Sequence, residues 1–232
     1  MIAKKIVPNV YVVSLGFVNV FLIDAGELTL VDTGTPGSEK KILAAIAELG
    51  YQVHDLHHIL ITHMHYDHTG SLEKLKQVSG AKIYMHALDA ASYSKRETMR
   101  PVEPSPGLIN KLIVKNLNRQ QPSLPESLAV IDEIITSNKE IPATGGIQAI
   151  HTPGHTAGHT AYFWPKQNGV MFVGDAASNM LHLGYSILYE NLALGEKTLS
   201  DLGQMKFSTA CFSHGKTIQS RAGDKIREKF HQ

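Results

Sequence analysis

Six consecutive positions, 63 to 68, carry four groups able to bind a cation. In ITHMHYDHTG (residues 61–70) these are His63, His65, Asp67 and His68. Four such groups would be costly to desolvate without partners, which leaves a polar surface loop or a metal centre. In extended backbone, side chains two apart face the same way, so His63 and His65 can grip one ion together. If the chain then turns toward a helix beginning near Thr69 and Gly70, Asp67 and His68 splay toward a second ion. The spacing is not the His-x-x-x-His pair of helical zinc proteases. A carboxylate shared by two ions would complete the arrangement, holding them about 3.5–4 Å apart as in two-metal sites generally. Imidazole and carboxylate donors suit zinc, iron, manganese or cobalt. The chain has one cysteine, Cys211, so thiolate plays no visible part and no internal disulfide can form.

The rest of the chain supplies further donors in a telling place. Four apolar runs each end in a His or Asp: ILIT before His63, IQAIHTPG before His155, VMFVG before Asp175 and ACFS before His214. Polar groups just beyond the ends of buried strands are how an α/β scaffold exposes a rigid site at one edge. The elements that must position them are legible. VYVVSL, VNVFLID and LTLVDTG read as successive strands with a turn at Ser14 to Phe17. GSEKKILAAIAELG reads as a helix capped by Ser38, striped by Ile42, Ile46 and Leu49, and stopped by Gly50. HHILITH and AKIYMH read as strands, and GSLEKLKQVSG between them as a helix with Leu72, Leu75 and Val78 inward. IQAIHTPG, TAYFWP, GVMFVGDA and TACFSHG read as later strands, and GDKIREKFHQ as a helix or frayed terminus. Helix–strand alternation between β-rich runs predicts sheets covered by helices, α/β or α+β.

One segment differs. Five of the ten prolines, Pro101, Pro104, Pro106, Pro122 and Pro125, flank GLINKLIVKNLN, where Leu108, Ile109, Leu112, Ile113 and Leu117 form a helical apolar stripe. Residues 89–130 thus read as a cap or insert on a single domain of residues 1–232. The stripe packs on its own domain, covers a pocket or makes a homodimer contact.

Bulk properties exclude several classes. Apolar residues make up 43% and charged residues 19% of 232, with a net charge of +1. No strong field points at nucleic acid or at an anionic membrane. Lys4 and Lys5 precede an apolar stretch, but Pro8, Asn9, Ser14, Gly16 and Asn19 interrupt it, so two strands explain it better than a secretory signal. Nothing is long and apolar enough to span a bilayer. The expected setting is the cytoplasm.

These motifs together resemble the metallo-β-lactamase fold superfamily. THMHYDHTG is similar to its His-x-His-x-Asp-His signature, and LVDTG, HTPGHTAGH, FVGDA and SHG follow in the family's order over nearly the whole chain. The resemblance implies a four-layer αββα sandwich with a dinuclear site between its halves. It assigns His63, His65 and His155 to one divalent ion and Asp67, His68 and His214 to the other, with Asp175 bridging. Asp32 looks like the carboxylate behind the ligands that orients them, or else a turn-forming Asp in DTG. His151 and His159 flank His155 and are candidates for the same supporting role. His54, His57, His58, His86, His182 and His231 read as ordinary surface or core histidines, and Cys211 as a small buried hydrophobe.

Two cations sharing a water lower its pKa, as a single zinc does to about 7, so a hydroxide aimed at an electrophile is the expected nucleophile. Asp67, a ligand with a spare oxygen, would hold the water's proton and pass it to the leaving group. Zinc is the expected metal, with iron or manganese as alternatives. Among branches of the family, metallo-β-lactamases generally lack the bridging aspartate, and glyoxalase II carries a helical glutathione-binding domain that the stretch after His214 does not supply. Acyl-homoserine lactonases carry a Tyr soon after the bridging Asp, where this chain has DAASNM with Tyr185 and Tyr189 later. Ribonuclease Z-like nucleases bring an RNA-gripping arm and basic surface. The expectation is a hydrolase of a small ester, thioester or lactone, its acyl part lying against Tyr93, Met99, Leu108 and Ile109. An iron-dependent persulfide dioxygenase-like activity and a phosphodiesterase or nuclease are the alternatives.

Overall fold

The computed structural model describes residues 1–97, 99–117 and 127–230. Strand β1 (Ala3–Val7) pairs antiparallel with β2 (Val10–Ser14), β2 with β3 (Asn19–Asp24), and β3 with β4 (Leu28–Val31). The expected turn closes as Leu15 N donates to Val18 O at 2.8 Å. β1 escapes the sequence reading because adjacent Lys4 and Lys5 both face solvent, which erases the two-residue alternation.

Helix α1 (Glu39–Glu48) leads to β5 (Leu56–Leu60), and α2 (Tyr66–Thr69) with α3 (Leu72–Ser79) to β6 (Lys82–His86). Then α4 (Ala87–Ser94), β7 (Glu103–Pro104) and α5 (Leu108–Leu117) precede β8 (Glu133–Ile135). β4, β5, β6 and β8 run parallel, so the first sheet has seven strands in sequence order, β7 excepted. The second half contributes β9 (Lys139–Glu140), β10 (Gln148–His151), β11 (Thr160–Trp164) and β12 (Val170–Gly174). After β13 (Leu188–Tyr189), which pairs with β7, come α6 (Leu192–Gly203), β14 (Thr209–Phe212) and α7 (Ala222–Phe230). The second sheet runs β14-β12-β11-β10-β9.

Strand alternation sorts the core into three layers. Leu22, Leu30, Ile59, Ile83 and Met85 pack with Ile42 and Ile46 of α1 and Leu72 and Leu75 of α3. Their strand neighbours Phe21, Ile23, Val31, Leu60 and Tyr84 face the other sheet and meet Tyr162, Trp164, Val170, Phe172 and Cys211. Beyond that sheet, Met171, Val173, Ala210 and Phe212 pack under Leu199 and Leu202 of α6 and Ile226 and Phe230 of α7. Full burial of each such aliphatic or aromatic side chain contributes roughly 1.5–3 kcal/mol. The result is the αββα sandwich, with Cys211 buried between the sheets as its alternation with Phe212 suggests.

Several local expectations need correction. Ser38 holds the cap position of α1 but has helical φ and ψ, makes no capping bond, and pairs with Thr35 Oγ1 at 3.3 Å instead; a capping hydroxyl needs extended backbone. Val78 is half exposed, because at 3.6 residues per turn a step of six residues lands about 120° from Leu72. Gly50, with φ +87°, does stop α1. Helix α6 escapes notice because it contains Gly195 and Gly203. Both are needed: a Cβ on Gly195 would stand 2.5 Å from the Tyr189 ring, and one on Gly203 would stand 2.8 Å from Arg227 Cα.

Among the described side chains of α5 only Val114 is buried, while Leu108, Ile109 and Leu112 face solvent and Ile113 sits at a cavity edge. The Leu117 side chain, Pro122, Pro125 and His231 lie outside the described residues. No helix among the described residues is long and apolar enough to cross a membrane.

Candidate metal centre

His63, His65, His155, Asp175 and His214 lie in the segments that follow strand ends, and Asp67 and His68 lie on the short helix α2 beyond β5. Asp32 follows β4 in a left-handed conformation, φ 61°, which Asp tolerates better than most residues. It thus occupies the turn and also reaches one of the ligand candidates. Its Oδ1 accepts from Thr62 N at 2.8 Å, and its Oδ2 accepts from Thr62 Oγ1 and His68 Nδ1, both at 2.8 Å. The stretch after β5 is pinned from the other sheet, where Tyr162 Oη donates to Ile61 O at 2.8 Å and Thr160 N to Thr62 O at 2.8 Å. Asp175 follows Gly174, whose φ of 58° and contact with His159 admit no side chain: a Cβ would stand 2.6 Å from Nε2.

The seven ligand candidates converge. In one trio His65 Nδ1 lies 3.0 Å from His63 Nε2 and 3.1 Å from His155 Nε2. In the other, Asp67 Oδ2 lies 3.7 Å from His68 Nε2 and 3.4 Å from His214 Nε2. Asp175 reaches both, with Oδ2 3.5 Å from His155 Nε2 and 3.3 Å from His214 Nε2. The donor atoms form overlapping groups of three within 4.8 Å of one another.

Hydrogen bonding fixes which nitrogen carries the outward-facing proton in four of the rings. A carbonyl or carboxylate oxygen only accepts. His155 Nδ1 therefore carries its proton toward Leu188 O at 2.9 Å, His214 Nδ1 toward Phe17 O at 2.8 Å, and His68 Nδ1 toward Asp32. Thr62 Oγ1 spends its proton on Asp32 and so accepts from His63 Nδ1 at 3.0 Å. With Nδ1 holding a proton in each of these four rings, Nε2 is the nitrogen that points into the cluster. A proton on His65 Nδ1 can serve only one of the two facing lone pairs at a time, whereas a cation serves every member of the trio. His68 Nε2 and Asp175 Oδ1 are buried without a hydrogen-bond partner. The donor set fits divalent cations.

Charge separates the trios. Burial pushes His65 down to about 3 and also lowers His63 and His155, keeping them neutral. Burial acts the same way on His68 and His214, but nearby carboxylates outweigh it. Asp67, Asp32 and Asp175 lift His68 to about 9, and Asp175 and Asp67 lift His214 to about 11. Asp67 falls to about 2: burial raises it, and the neighbouring His68 and His214 outweigh that.

The other histidines divide cleanly. His159 is buried, and its Nε2 accepts from Asp175 N at 3.0 Å, so it holds the bridging candidate in place. His151 turns away, stacking on His86 with ring centroids 4.1 Å apart. Thr62 was missed, since a Thr between strand and histidine carries no signal of its own.

Above the cluster lies a cavity of about 350 Å³ whose floor includes His65, Asp67, His155, Asp175 and His214. Phe17, Met99, Ile113, Met180, Ile187 and Leu188 wall it, with Tyr66 beside Asp67; no Lys or Arg lines it among the described residues. Of the expected acyl contacts only Met99 is found there. Tyr93 lies in the helix-side core with its hydroxyl accepting from Ala129 N at 3.2 Å, and Leu108 and Ile109 face solvent. Tyr189 is committed elsewhere, donating to Ala176 O at 2.7 Å, and Tyr185 packs on Phe230.

A family model described as the metallo-beta-lactamase superfamily matches residues 13–214. The chain belongs to the metallo-beta-lactamase superfamily. Within it, the chain is 34% identical over 161 residues to the uncharacterized protein YobT of Bacillus subtilis (strain 168), covering 68% of this chain and 61% of that one. It is 28% identical over 158 residues to a hydroxyacylglutathione hydrolase of Rhodospirillum rubrum, covering 68% and 46%. The matches therefore span less than two-thirds of the length of these relatives. The FEZ-1 metallo-beta-lactamase from Legionella gormanii superposes with a TM-score of 0.70 at 21% identity, covering 92% of this chain and 79% of that one. At that identity the likeness speaks for the superfamily's fold alone.

Proposed function

We propose that this chain is a hydrolase dependent on two divalent metal ions, zinc foremost, that cleaves a small uncharged ester, thioester or lactone with an apolar acyl part. The observation that carries the reading is the convergence of seven donors, five of them lining the floor of a largely apolar cavity. His63, His65 and His155 would hold one ion and Asp67, His68 and His214 the other, with Asp175 between them. When bound, such ions acidify water and polarise a carbonyl oxygen. The remaining work belongs to the chain. Asp32 holds His68 directly and His63 through Thr62, so that both present bare nitrogens.

Asp67 meets both histidines of its trio through Oδ2. Its Oδ1 is free to take a proton from the attacking water and return it to the leaving oxygen or sulfur. Phe17, Met99 and Ile113 would receive the acyl chain and exclude bulk water. Away from the metal-holding floor, no Lys or Arg among the described residues lines the cavity to pair with an anionic phosphodiester or a glutathione carboxylate. A cytoplasmic setting accords with the single, buried cysteine.

The test is metal analysis of the purified protein together with a panel of aryl esters, lactones, thioesters and phosphodiesters. Two ions per chain and turnover of neutral acyl substrates are expected. A metal-free protein, or one that cleaves only phosphodiesters, contradicts the reading.

A further inference from the structure

Asp89 of α4 is fully buried, yet it stands outside the ligand set. Its carboxylate collects four donors. Oδ2 accepts from Met64 N at 3.1 Å and Thr156 Oγ1 at 2.6 Å, and Oδ1 from Gly158 N at 2.9 Å and Arg100 Nη2 at 2.6 Å. Met64 lies between His63 and His65, and Thr156 directly follows His155. One carboxylate thus joins the two segments, from opposite halves of the sandwich, that supply the all-histidine trio. The approach is close enough to demand glycine at 158, where a Cβ would stand 2.6 Å from Asp89 Oδ1.

Arg100 completes the junction. While Nη2 holds Asp89, Nε donates to Glu190 Oε1 at 2.7 Å, and Glu190 Oε2 accepts from Ala157 N at 2.7 Å in the same His155 loop. Nη1 donates to Ser92 Oγ at 3.0 Å. Arg100 also adjoins Met99 in the cavity wall. A buried carboxylate needs a cation nearby, and this fork spans two carboxylates in a way an ammonium cannot.

We infer that Asp89, braced by Arg100 and Glu190, is a positioning group that sets the span between the His63–His65 strand end and the His155 loop, and hence the metal affinity of that trio. The inference rests on the metal-binding reading above. Because all four partners of Asp89 are donors, Asp89→Asn keeps the shape but turns an amide donor against donors.

The test is cobalt(II) titration of the metal-free protein, followed by visible absorption, for the parent, Asp89→Asn, Arg100→Met and Arg100→Lys. Asp89→Asn is expected to weaken binding about 10–100-fold, as for other groups that orient metal ligands, and to alter the cobalt spectrum. Arg100→Met is expected to do the same to a smaller degree. Arg100→Lys should resemble Arg100→Met, since it restores charge but not the fork. If Asp89→Asn does not fold, Arg100→Met carries the test, because that side chain is only 24% exposed yet reaches solvent. Folded variants that bind cobalt with the parent's affinity and spectrum would overturn the inference, as would full rescue by Arg100→Lys. A parent that binds no cobalt would overturn the metal-binding reading as well, so the two failures are distinguishable.

Discussion

The two proposed ligand trios solve the same problem by different physics. His63, His65 and His155 are neutral rings held by geometry: Thr62 and Leu188 orient His63 and His155, and burial keeps a second proton off all three. Asp67, His68 and His214 are held by charge, with Asp32 behind His68 and Asp175 beside both rings. In the metal-free protein the first trio leaves lone pairs facing one another, and the second draws protons to balance its carboxylates. A cation relieves both. The first trio should therefore take metal without proton exchange, and the second should release protons on binding.

Breaking either trio gives the largest effect. His65→Ala and Asp67→Ala are each expected to lower kcat/KM roughly a thousandfold or more. Removing a ligand forfeits several kcal/mol of charge stabilisation, and each 1.36 kcal/mol is tenfold. Steady-state kinetics with matched metal analysis checks this; activity within tenfold of the parent would contradict it. Asp32→Asn comes next. It weakens the acceptor for His68 Nδ1 and should cost about 10–100-fold in metal affinity, read by competition with a chromogenic chelator.

pH sharpens the contrast. In the metal-free protein His68, with a folded value of about 9 against an ordinary 6.5, contributes stability that is fully present below pH 6.5 and lost as pH rises through 9. His214 acts likewise up to about 11. Asp67, lowered to about 2, contributes stability present above its ordinary value near 4 and lost as pH falls through 2. Chelated protein should thus melt progressively lower from pH 6.5 to 9, while metal-loaded protein holds its melting temperature, as thermal denaturation at several pH values would show. A constant gap between the two forms would contradict the charge-held reading of the second trio. The smallest effect belongs to the cavity wall. Ile113→Ala should raise KM for long acyl esters by about tenfold and leave acetyl esters nearly unchanged, since a methylene in an apolar pocket contributes about 1–3 kcal/mol.

Much of this was legible because the ligand candidates lie close in sequence or directly after apolar runs. His63 to His68 announce themselves by density, and His155, Asp175 and His214 by position at strand ends. The fold was legible where strands packed on both faces read as unbroken apolar runs, as in β3 and β12. Legibility failed where a contact is made only in three dimensions. Asp89 and Arg100 look like ordinary helix and loop charges until Met64, Thr156 and Glu190 are brought to them. Gly195 and Gly203 look like helix breakers until Tyr189 and Arg227 arrive. The stripe on α5 is real in its periodicity, but among its described side chains Val114 packs inward, Ile113 edges the cavity, and Leu108, Ile109 and Leu112 face solvent.

Anomalous X-ray diffraction at the absorption edge of the bound metal tests the central claim most directly. Two peaks are expected, one among His63, His65 and His155 and one among Asp67, His68 and His214, with Asp175 reaching both. An anomalous map with no peak within bonding distance of those side chains would contradict the account.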